Sequence, residues 1–172
     1  LIVFEIANNH MGDMDHALRM IDTFGIYVTE YPEFDFSFKF QFRDISTFIH
    51  PDFLDRMDIK YVKRFSETWL RKDQFTILID RVRSMGMMVM TTPFDENSIA
   101  LAEELDVDIL KVASCSCGDW PLVERIVMMD KPIIFSTAGA NFETIDKIVS
   151  FFQHRNKKFA IMHCVGEYPT TS

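Results

Sequence analysis

The sequence predicts an α/β fold, and within that class a (β/α)8 TIM barrel of which this chain supplies about the first six β/α units. Six short apolar runs alternate with segments of helical spacing, and such near-continuous apolar strands are typical of parallel sheets covered on both faces. Each run ends in polar residues, as barrel strands do at their active-site ends. A doubly wound sheet would alternate in the same way, but the glycine-rich turn that usually follows its first strand is missing. The runs are residues 2–9, 36–42, 87–93, 109–116, 132–139 and 159–164.

The length supports one incomplete domain over residues 1–172. A chain of 172 residues, 48% of them hydrophobic, can bury one sizeable core but falls below the roughly 250 residues of a whole barrel. It begins directly on a strand, without an initiator methionine, and stops just after another. We therefore expect the later barrel units and any further domain to be absent, and the first and sixth strands to be exposed apolar edges.

The first unit places a carboxylate, Glu5, inside an apolar strand. A buried carboxylate needs a partner or a function, so Glu5 is either a site residue or half of a structural ion pair. The following helix is expected to begin after an Asp13 cap and to end near Gly25. His10, at the start of the loop, fits a functional or a structural role equally well.

The second strand, FSFKFQF, alternates aromatic and polar residues with a period of two. Lys39 and Gln41 would therefore point into the barrel, and the alternative is an exposed edge strand with a solvated lysine. Residues 43–72 form an irregular, insertion-like segment of the kind that serves as a lid or contacts substrate, and no residue there is singled out. A helix over residues 73–84 that closes at Gly86 is expected next.

The third to sixth strands end in groups able to bind a ligand. The third ends in Thr91 and Thr92, although threonines are also ordinary strand residues, and Asp95 or Asn97 caps the next helix. The fourth delivers Lys111 and Ser114, and a helix starts at Pro121. The fifth ends in Ser136 and Thr137 before a small turn whose backbone N–H groups could approach an anion. The sixth ends in His163, which is a core residue or a catalyst.

Composition excludes several classes of protein. The net charge of −8 argues against a nucleic-acid surface, and no run reaches the ~18 apolar residues of a membrane span. Cytoplasm is the expected location, since the three cysteines, Cys115, Cys117 and Cys164, form no disulfide framework. Cys115 and Cys117 could bind a metal as a C-x-C pair, but small buried thiols are the simpler interpretation.

Two lysines converging in the mouth of a net-acidic barrel indicate a small polyanion as ligand. Buried lysines need anionic partners, so a phosphorylated or carboxylated metabolite fits this arrangement.

Six motifs, taken in order, carry a resemblance to a known family. The chain resembles the sialic acid synthases, together with the legionaminic and pseudaminic acid synthases and the spore coat polysaccharide homologues. The similarity covers the chain apart from residues 43–72. It implies the condensation of phosphoenolpyruvate with an N-acylated aldose of the N-acetylmannosamine type, giving a nine-carbon 2-keto sugar acid and phosphate for surface polysaccharide. The motifs are EIANNHMGD, FKFQ, TTPFDE, LKVAS, KPIIFSTAGA and MHCVGEYPT.

The resemblance also implies the site residues. Glu5 and Lys111 are the expected catalytic residues, with Glu5 positioning or exchanging a proton, and Tyr168 lies by the sugar. Phosphoenolpyruvate is held by Lys39, Gln41, Thr92, Lys111, Ser114 and Ser136. A divalent metal, Mn²⁺ or Mg²⁺, is implied with ligands outside this chain, so no metal ligand is assigned. A homodimer capped by a C-terminal antifreeze-like domain is implied for the full-length protein.

Two departures from the family pattern leave the aldose open. Cys115 stands where the family often has glycine, and Gly166 stands where serine or asparagine is common. Two alternatives remain. One is another barrel phosphosugar aldolase or epimerase with a Schiff base on Lys111. The other is a non-catalytic phosphometabolite-binding paralogue.

Overall fold

The six predicted strands form one parallel sheet that curls into a half-barrel. The structure is a computed structural model and describes residues 1–167 and 170. Each strand pairs with its neighbours in the chain, in the order β1 to β6. The strands are β1 (Ile2–Glu5), β2 (Phe36–Phe42), β3 (Met88–Pro93), β4 (Ile109–Val112), β5 (Ile133–Ser136) and β6 (Phe159–Met162). This sequential order of parallel strands with intervening helices confirms the predicted partial TIM barrel.

Seven α-helices lie along the described part of the chain. They are α1 (Met14–Glu30), α2 (Ile45–Phe48), α3 (Lys60–Glu67), α4 (Lys72–Ser84), α5 (Glu96–Glu104), α6 (Trp120–Met128) and α7 (Phe142–Gln153). None of the described helices is long and apolar enough to cross a membrane.

The period of two in β2 places its aromatic rings and its polar groups on opposite faces. Phe38, Phe40 and Phe42 are almost fully buried in the hydrophobic core between sheet and helices. Phe42, for example, lies 4.4 Å from the ring centroid of Phe75 on α4. Lys39 faces the concave interior from the same strand, and its backbone pairs with β1 and β3. The alternative of an exposed edge strand is therefore wrong for β2.

The helix α1 differs from its predicted end. Asp13 caps it as expected, accepting from the backbone N–H of His16, but the helix continues through Gly25 to Glu30. Gly25 is buried in the helix interior, where an added Cβ would lie 3.1 Å from Cγ of Met85 at the end of α4. Glycine here permits close approach of two helices rather than ending one.

The other predicted helix signals are found in the structure. Asp95, not Asn97, caps α5 by accepting from the backbone N–H of Ser98 at 2.7 Å. Pro121 lies in the first turn of α6, and Gly86 follows α4 with a φ of +78°. Strands β1, β4, β5 and β6 end earlier than predicted, since they are followed by turns after β1 and β5, a 3-10 helix after β4 and irregular chain after β6. Residues Ser114–Ser116, for instance, form a 3-10 helix.

The segment of residues 43–72 is helical rather than irregular. It contains α2, a 3-10 helix at Pro51–Phe53, and α3. Its end is tied back to the end of β2, since Trp69 donates from Nε1 to the carbonyl oxygen of Arg43 at 3.2 Å. This segment therefore covers the carboxyl end of β2.

The outer strands of the sheet carry exposed apolar side chains, as expected. Among the described residues β1 pairs only with β2, and β6 only with β5. Ile2, Ile161 and Met162 are each at least 38% exposed.

Candidate active site at the carboxyl ends of the strands

The predicted ligand-binding side chains gather on the concave face at the carboxyl end of the sheet. The strand register pairs Glu5 with Lys39, and Gln41 with Thr92. Extending the β3–β4 register by one residue places Lys111 beside Thr92, and Lys111 in turn pairs with Ile134. Strands β2 to β4 thus bring the two lysines, the amide and the hydroxyl into one concave region.

Lys39 is the most buried cation of the site, with only 4% of the residue exposed. Its Nζ contacts the Glu5 carboxylate and lies 3.4 Å from Oγ1 of Thr92. Burial, with the charges of Lys111 and Arg43, lowers the pKa of Lys39 to about 7. The Glu5 carboxylate favours the ammonium form, and a bound anion would do the same.

Glu5 lies at the last residue of β1 and is not buried. Its side chain is 40% exposed, and its Oε1 accepts from the backbone N–H of Ala7 at 2.9 Å. The expectation of a buried carboxylate is therefore wrong, because β1 is an outer strand and Glu5 ends it. Of the two alternatives for Glu5, the ion pair is present, and Lys39 is the partner of Glu5. The Glu5 carboxylate therefore lies at the site.

Lys111 is partly buried and lacks a carboxylate partner within the described residues. Burial lowers its pKa, and the neighbouring thiols of Cys164 and Cys115 oppose that shift. An ammonium desolvated in this way without a counter-charge favours an anionic ligand.

The hydroxyl groups at the strand ends differ in their availability. Thr91 donates to the carbonyl of Phe40 at 3.4 Å, so Thr92 is the threonine of β3 next to Lys39. Ser114 accepts from the backbone N–H of Ala138 at 3.0 Å, which joins the ends of β4 and β5. Ser136 is 4% exposed, and its Oγ has a weak contact, at 4.0 Å, with the sulfur of Met162 and a hydrogen bond to the thiol of Cys164.

The three cysteines lie in different environments around this face. Cys115 is exposed, which contradicts the expectation of a buried thiol there, whereas Cys117 is buried and donates to the carbonyl of Ser136 at 3.0 Å. Burial raises the pKa of Cys117. Burial also acts to raise the pKa of Cys164, but hydrogen bonds from Thr137, Ser136 and Ala138, together with the charge of Lys111, hold it below its ordinary value.

The remaining predicted residues contribute less to the geometry. His163 is exposed, and Tyr168, which the resemblance places by the sugar, lies outside the described residues. His10 is buried, accepts from the backbone N–H of Gly12 at 3.1 Å through Nδ1, and so supports the turn before α1. No group of three or more His, Cys, Asp or Glu side chains in residues 1–167 and 170 could hold a metal ion.

Arg43 is a residue of this region that sequence reasoning missed. Its Nη2 donates to Oε1 of Gln41 at 2.9 Å, and three phenylalanine rings surround its guanidinium group. Residues 37, 39, 41 and 43 continue the period of two past the end of β2, and this pattern could have indicated Arg43.

The arrangement is suited to binding a small oxyanion. Two partly desolvated ammonium groups, an amide and several hydroxyls converge on one face, and a carboxylate is available to exchange a proton.

Comparison with known proteins identifies relatives over the whole chain. The model of the NeuB family matches residues 37–172. A protein of Chromobacterium violaceum named for spore coat polysaccharide biosynthesis, protein E, has 49% identity and a TM-score of 0.94, over 99% of this chain and 50% of that chain. The N-acetylneuraminic acid (sialic acid) synthetase of Leptospira borgpetersenii, crystallised with citrate, has 28% identity and a TM-score of 0.83, over 99% and 55%.

A curated relative shows the same partial coverage. The N-acetylneuraminate-9-phosphate synthase of Drosophila melanogaster is 25% identical over 173 residues, which is 98% of this chain and 46% of that protein. The chain spans about half the length of the curated relatives that match it over most of its residues.

Proposed function

Because this chain belongs to the NeuB family, whose members include proteins named as sialic and legionaminic acid synthases, we propose that it binds phosphoenolpyruvate and condenses it with an N-acylated aldose. The product would be a nine-carbon 2-keto sugar acid for surface polysaccharide, and the enzyme a transferase that forms a C–C bond. The observation that carries the proposal is the pair of desolvated lysines, Lys39 and Lys111, on the concave face.

The proposed binding mode follows from charge and hydrogen-bonding capacity. Lys39 and Lys111 neutralise the phosphate and carboxylate of phosphoenolpyruvate, since a desolvated ammonium interacts strongly with an oxyanion. Thr92, Ser114 and Ser136 supply hydroxyl donors from three neighbouring strands. Gln41 adds an amide beside Thr92. Tyr168 is proposed to lie by the sugar.

The proposed reaction needs only phosphoenolpyruvate, the aldose and water as reactants. C3 of phosphoenolpyruvate forms a bond to the carbonyl carbon of the aldose, and the carbonyl oxygen takes up a proton. Water adds at C2 and loses one proton. The bond from C2 to the phosphate oxygen then breaks while the remaining C2 hydroxyl becomes the 2-keto group, and the proton of that hydroxyl leaves with the phosphate. Glu5 is placed at the end of β1 to exchange these protons, while Lys111 stabilises the negative charge that develops on the departing phosphate.

The residues of this chain do not fit a metal centre, as the described part holds no suitable cluster. We propose that Mn²⁺ or Mg²⁺ is bound by ligands outside this chain, and no step above depends on it. The other proposed partners are the two small-molecule substrates, with no nucleic acid or membrane. A cytoplasmic homodimer is proposed from the resemblance and the composition.

The test is phosphate release from phosphoenolpyruvate by the complete natural polypeptide, with Mn²⁺ and a panel of N-acylated aldoses. We expect release that requires an aldose, and a loss of about a hundredfold or more in Lys111→Met, since truncating one member of a buried charge pair costs about 2–5 kcal/mol. Lys147→Met is the matched control, because it removes an exposed lysine on α7. Binding without any aldose-dependent release would instead favour a non-catalytic paralogue.

A second candidate function is supported by the lowered pKa of Lys111. A lysine whose pKa is lowered by burial could form a Schiff base with a carbonyl substrate, as in an aldolase. Borohydride trapping of a substrate adduct on Lys111 would favour that candidate over the condensation. An unmodified Lys111 after turnover in the presence of borohydride would exclude it.

A further inference from the structure

The guanidinium group of Arg43 is held by an aromatic cage, defined here as Phe48, Phe65 and Phe94. Its central carbon lies 3.9 Å from the ring centroid of Phe94, 4.4 Å from that of Phe65 and 5.5 Å from that of Phe48. Two of these rings come from the helices α2 and α3 of the 43–72 segment. The segment and the residue after β3 together fix the plane of Arg43.

Arg43 is a half-buried cation without a counter-charge at contact distance among the described residues. None of the ion pairs between described residues includes it, and its Nε is buried without a hydrogen-bond partner. Ring faces attract cations, and the planar guanidinium group stacks on them better than an ammonium would. The orientation of Arg43 is therefore set by the aromatic cage.

The hydrogen bond from the guanidinium group of Arg43 to the side chain of Gln41 determines how the Gln41 amide is oriented. An arginine has five N–H donors and no acceptor, so the atom of Gln41 that meets it has to be the carbonyl oxygen Oε1. The amide NH2 of Gln41, with its two donors, is then left for the concave face, where Gln41 pairs in register with Thr92. A glutamine without such a neighbour can turn its amide over and present either group.

We propose that Arg43 is a positioning residue that holds Gln41 with its NH2 toward the substrate site. The NH2 of Gln41 then donates a hydrogen bond to the ligand. The site therefore selects ligands that present an oxyanion, carboxylate or phosphate, at that position. This inference rests on the proposed function and deepens it. It also gives the 43–72 segment a role, because its rings hold Arg43 in place.

The first test is a double-mutant cycle in the affinity of the complete natural polypeptide for phosphoenolpyruvate, measured by calorimetry with Mn²⁺ present. We expect Arg43→Met and Gln41→Ala each to weaken binding about tenfold, the size of one hydrogen bond to a charged group. The double variant should bind no more weakly than Gln41→Ala alone, because Arg43 acts through Gln41. Independent, multiplying losses would mean that Arg43 has a structural role only, and would overturn the inference.

A matched control is available in the same chain. Arg155 also stacks on a phenylalanine, 3.7 Å from the ring centroid of Phe151, but it lies in the turn after the helix α7. Arg155→Met is expected to leave the affinity within about twofold of the unsubstituted protein. If it weakens binding as much as Arg43→Met does, loss of arginine stacking in general explains the effect.

A third variant tests directly whether the NH2 of Gln41 donates to the ligand. Gln41→Glu keeps an oxygen acceptor for Arg43 but replaces the NH2 by a carboxylate oxygen, so it should fold and yet bind phosphoenolpyruvate about a hundredfold more weakly. Unchanged binding would contradict a donor role.

If Arg43→Met does not fold, Arg43→Lys takes its place in the double-mutant cycle, since it keeps the positive charge and loses the planar set of N–H donors.

Failure of the proposed function has a different signature. If the unsubstituted protein does not bind phosphoenolpyruvate, the proposed function fails and this inference falls with it. If the unsubstituted protein binds and the cycle shows no coupling, only the inference is refuted.

Discussion

Lys39 should make the affinity for phosphoenolpyruvate depend on pH. Its pKa of about 7 lies far below the ordinary lysine value, because Lys39 is buried and faces the charges of Lys111 and Arg43. A bound phosphate or carboxylate stabilises the ammonium form and raises this pKa. Binding therefore takes up a proton, and the affinity is highest below pH 7 and falls as the pH rises above it.

The size of the effect follows from the protonated fraction of free Lys39. With a pKa of about 7, this fraction falls from about one half at pH 7 to about one hundredth at pH 9. If only the protonated form binds, the apparent affinity falls about fiftyfold, equivalent to about 2.3 kcal/mol. Below about pH 6 the phosphate itself takes up a proton, so the affinity should pass through a maximum between about pH 6 and 7.

Calorimetry in buffers of different ionisation enthalpy measures both the affinity and the proton uptake. We expect uptake of about half a proton per phosphoenolpyruvate at pH 7, rising toward one proton at pH 8.5. In Lys39→Arg the guanidinium group stays charged, and the part of the decline that begins near pH 7 should disappear. A constant affinity between pH 7 and 9, with no proton uptake, would refute the reasoning about Lys39.

Two further predictions concern packing and reactivity. Gly25→Ala should lower the free energy of unfolding by about 1 kcal/mol in a denaturant titration, because its methyl would press on Met85 and overpacking outweighs the gain in helix propensity. Gly118→Ala, with no atom within 4 Å of the added Cβ, should change it by less than about 0.5 kcal/mol, and equal effects would contradict this account. In alkylation followed by mass spectrometry, Cys164 should react faster than Cys117 and should be protected by phosphoenolpyruvate, since the Cys164 pKa is lowered and the Cys117 pKa raised. Equal rates for the two thiols would refute the assignment.

Elements governed by local periodicity could be predicted from the sequence. Strand β2 was predicted at its observed bounds, Phe36–Phe42, because alternation with a period of two depends only on neighbouring residues. The helix over residues 73–84 and the Asp13 cap of α1 were likewise predictable, because they depend on residues close together in the sequence. The inward direction of Lys39 also follows from this alternation.

Features that depend on distant residues could not be predicted in this way. Gly25 resembles a helix stop until the end of α4, some sixty residues later, is known to pack against it. The period of two could have indicated Arg43, but not its aromatic surroundings, because Phe65 and Phe94 are brought to it only by the fold. The ion pair of Glu5 with Lys39 depends on the pairing of two strands, which the pattern of a single run does not reveal.

The sequential strand order has a consequence for how the site forms during synthesis. Each strand pairs with the one made just before it, so the strand pairs can form in the order of synthesis, although parallel strands joined through a helix pair slowly. Glu5 and Lys39 can meet as soon as β2 emerges, long before Lys111 is made. The first lysine thus acquires its counter-ion early, and the repulsion between the two lysines arises only when a nascent sheet already holds Lys39 in place.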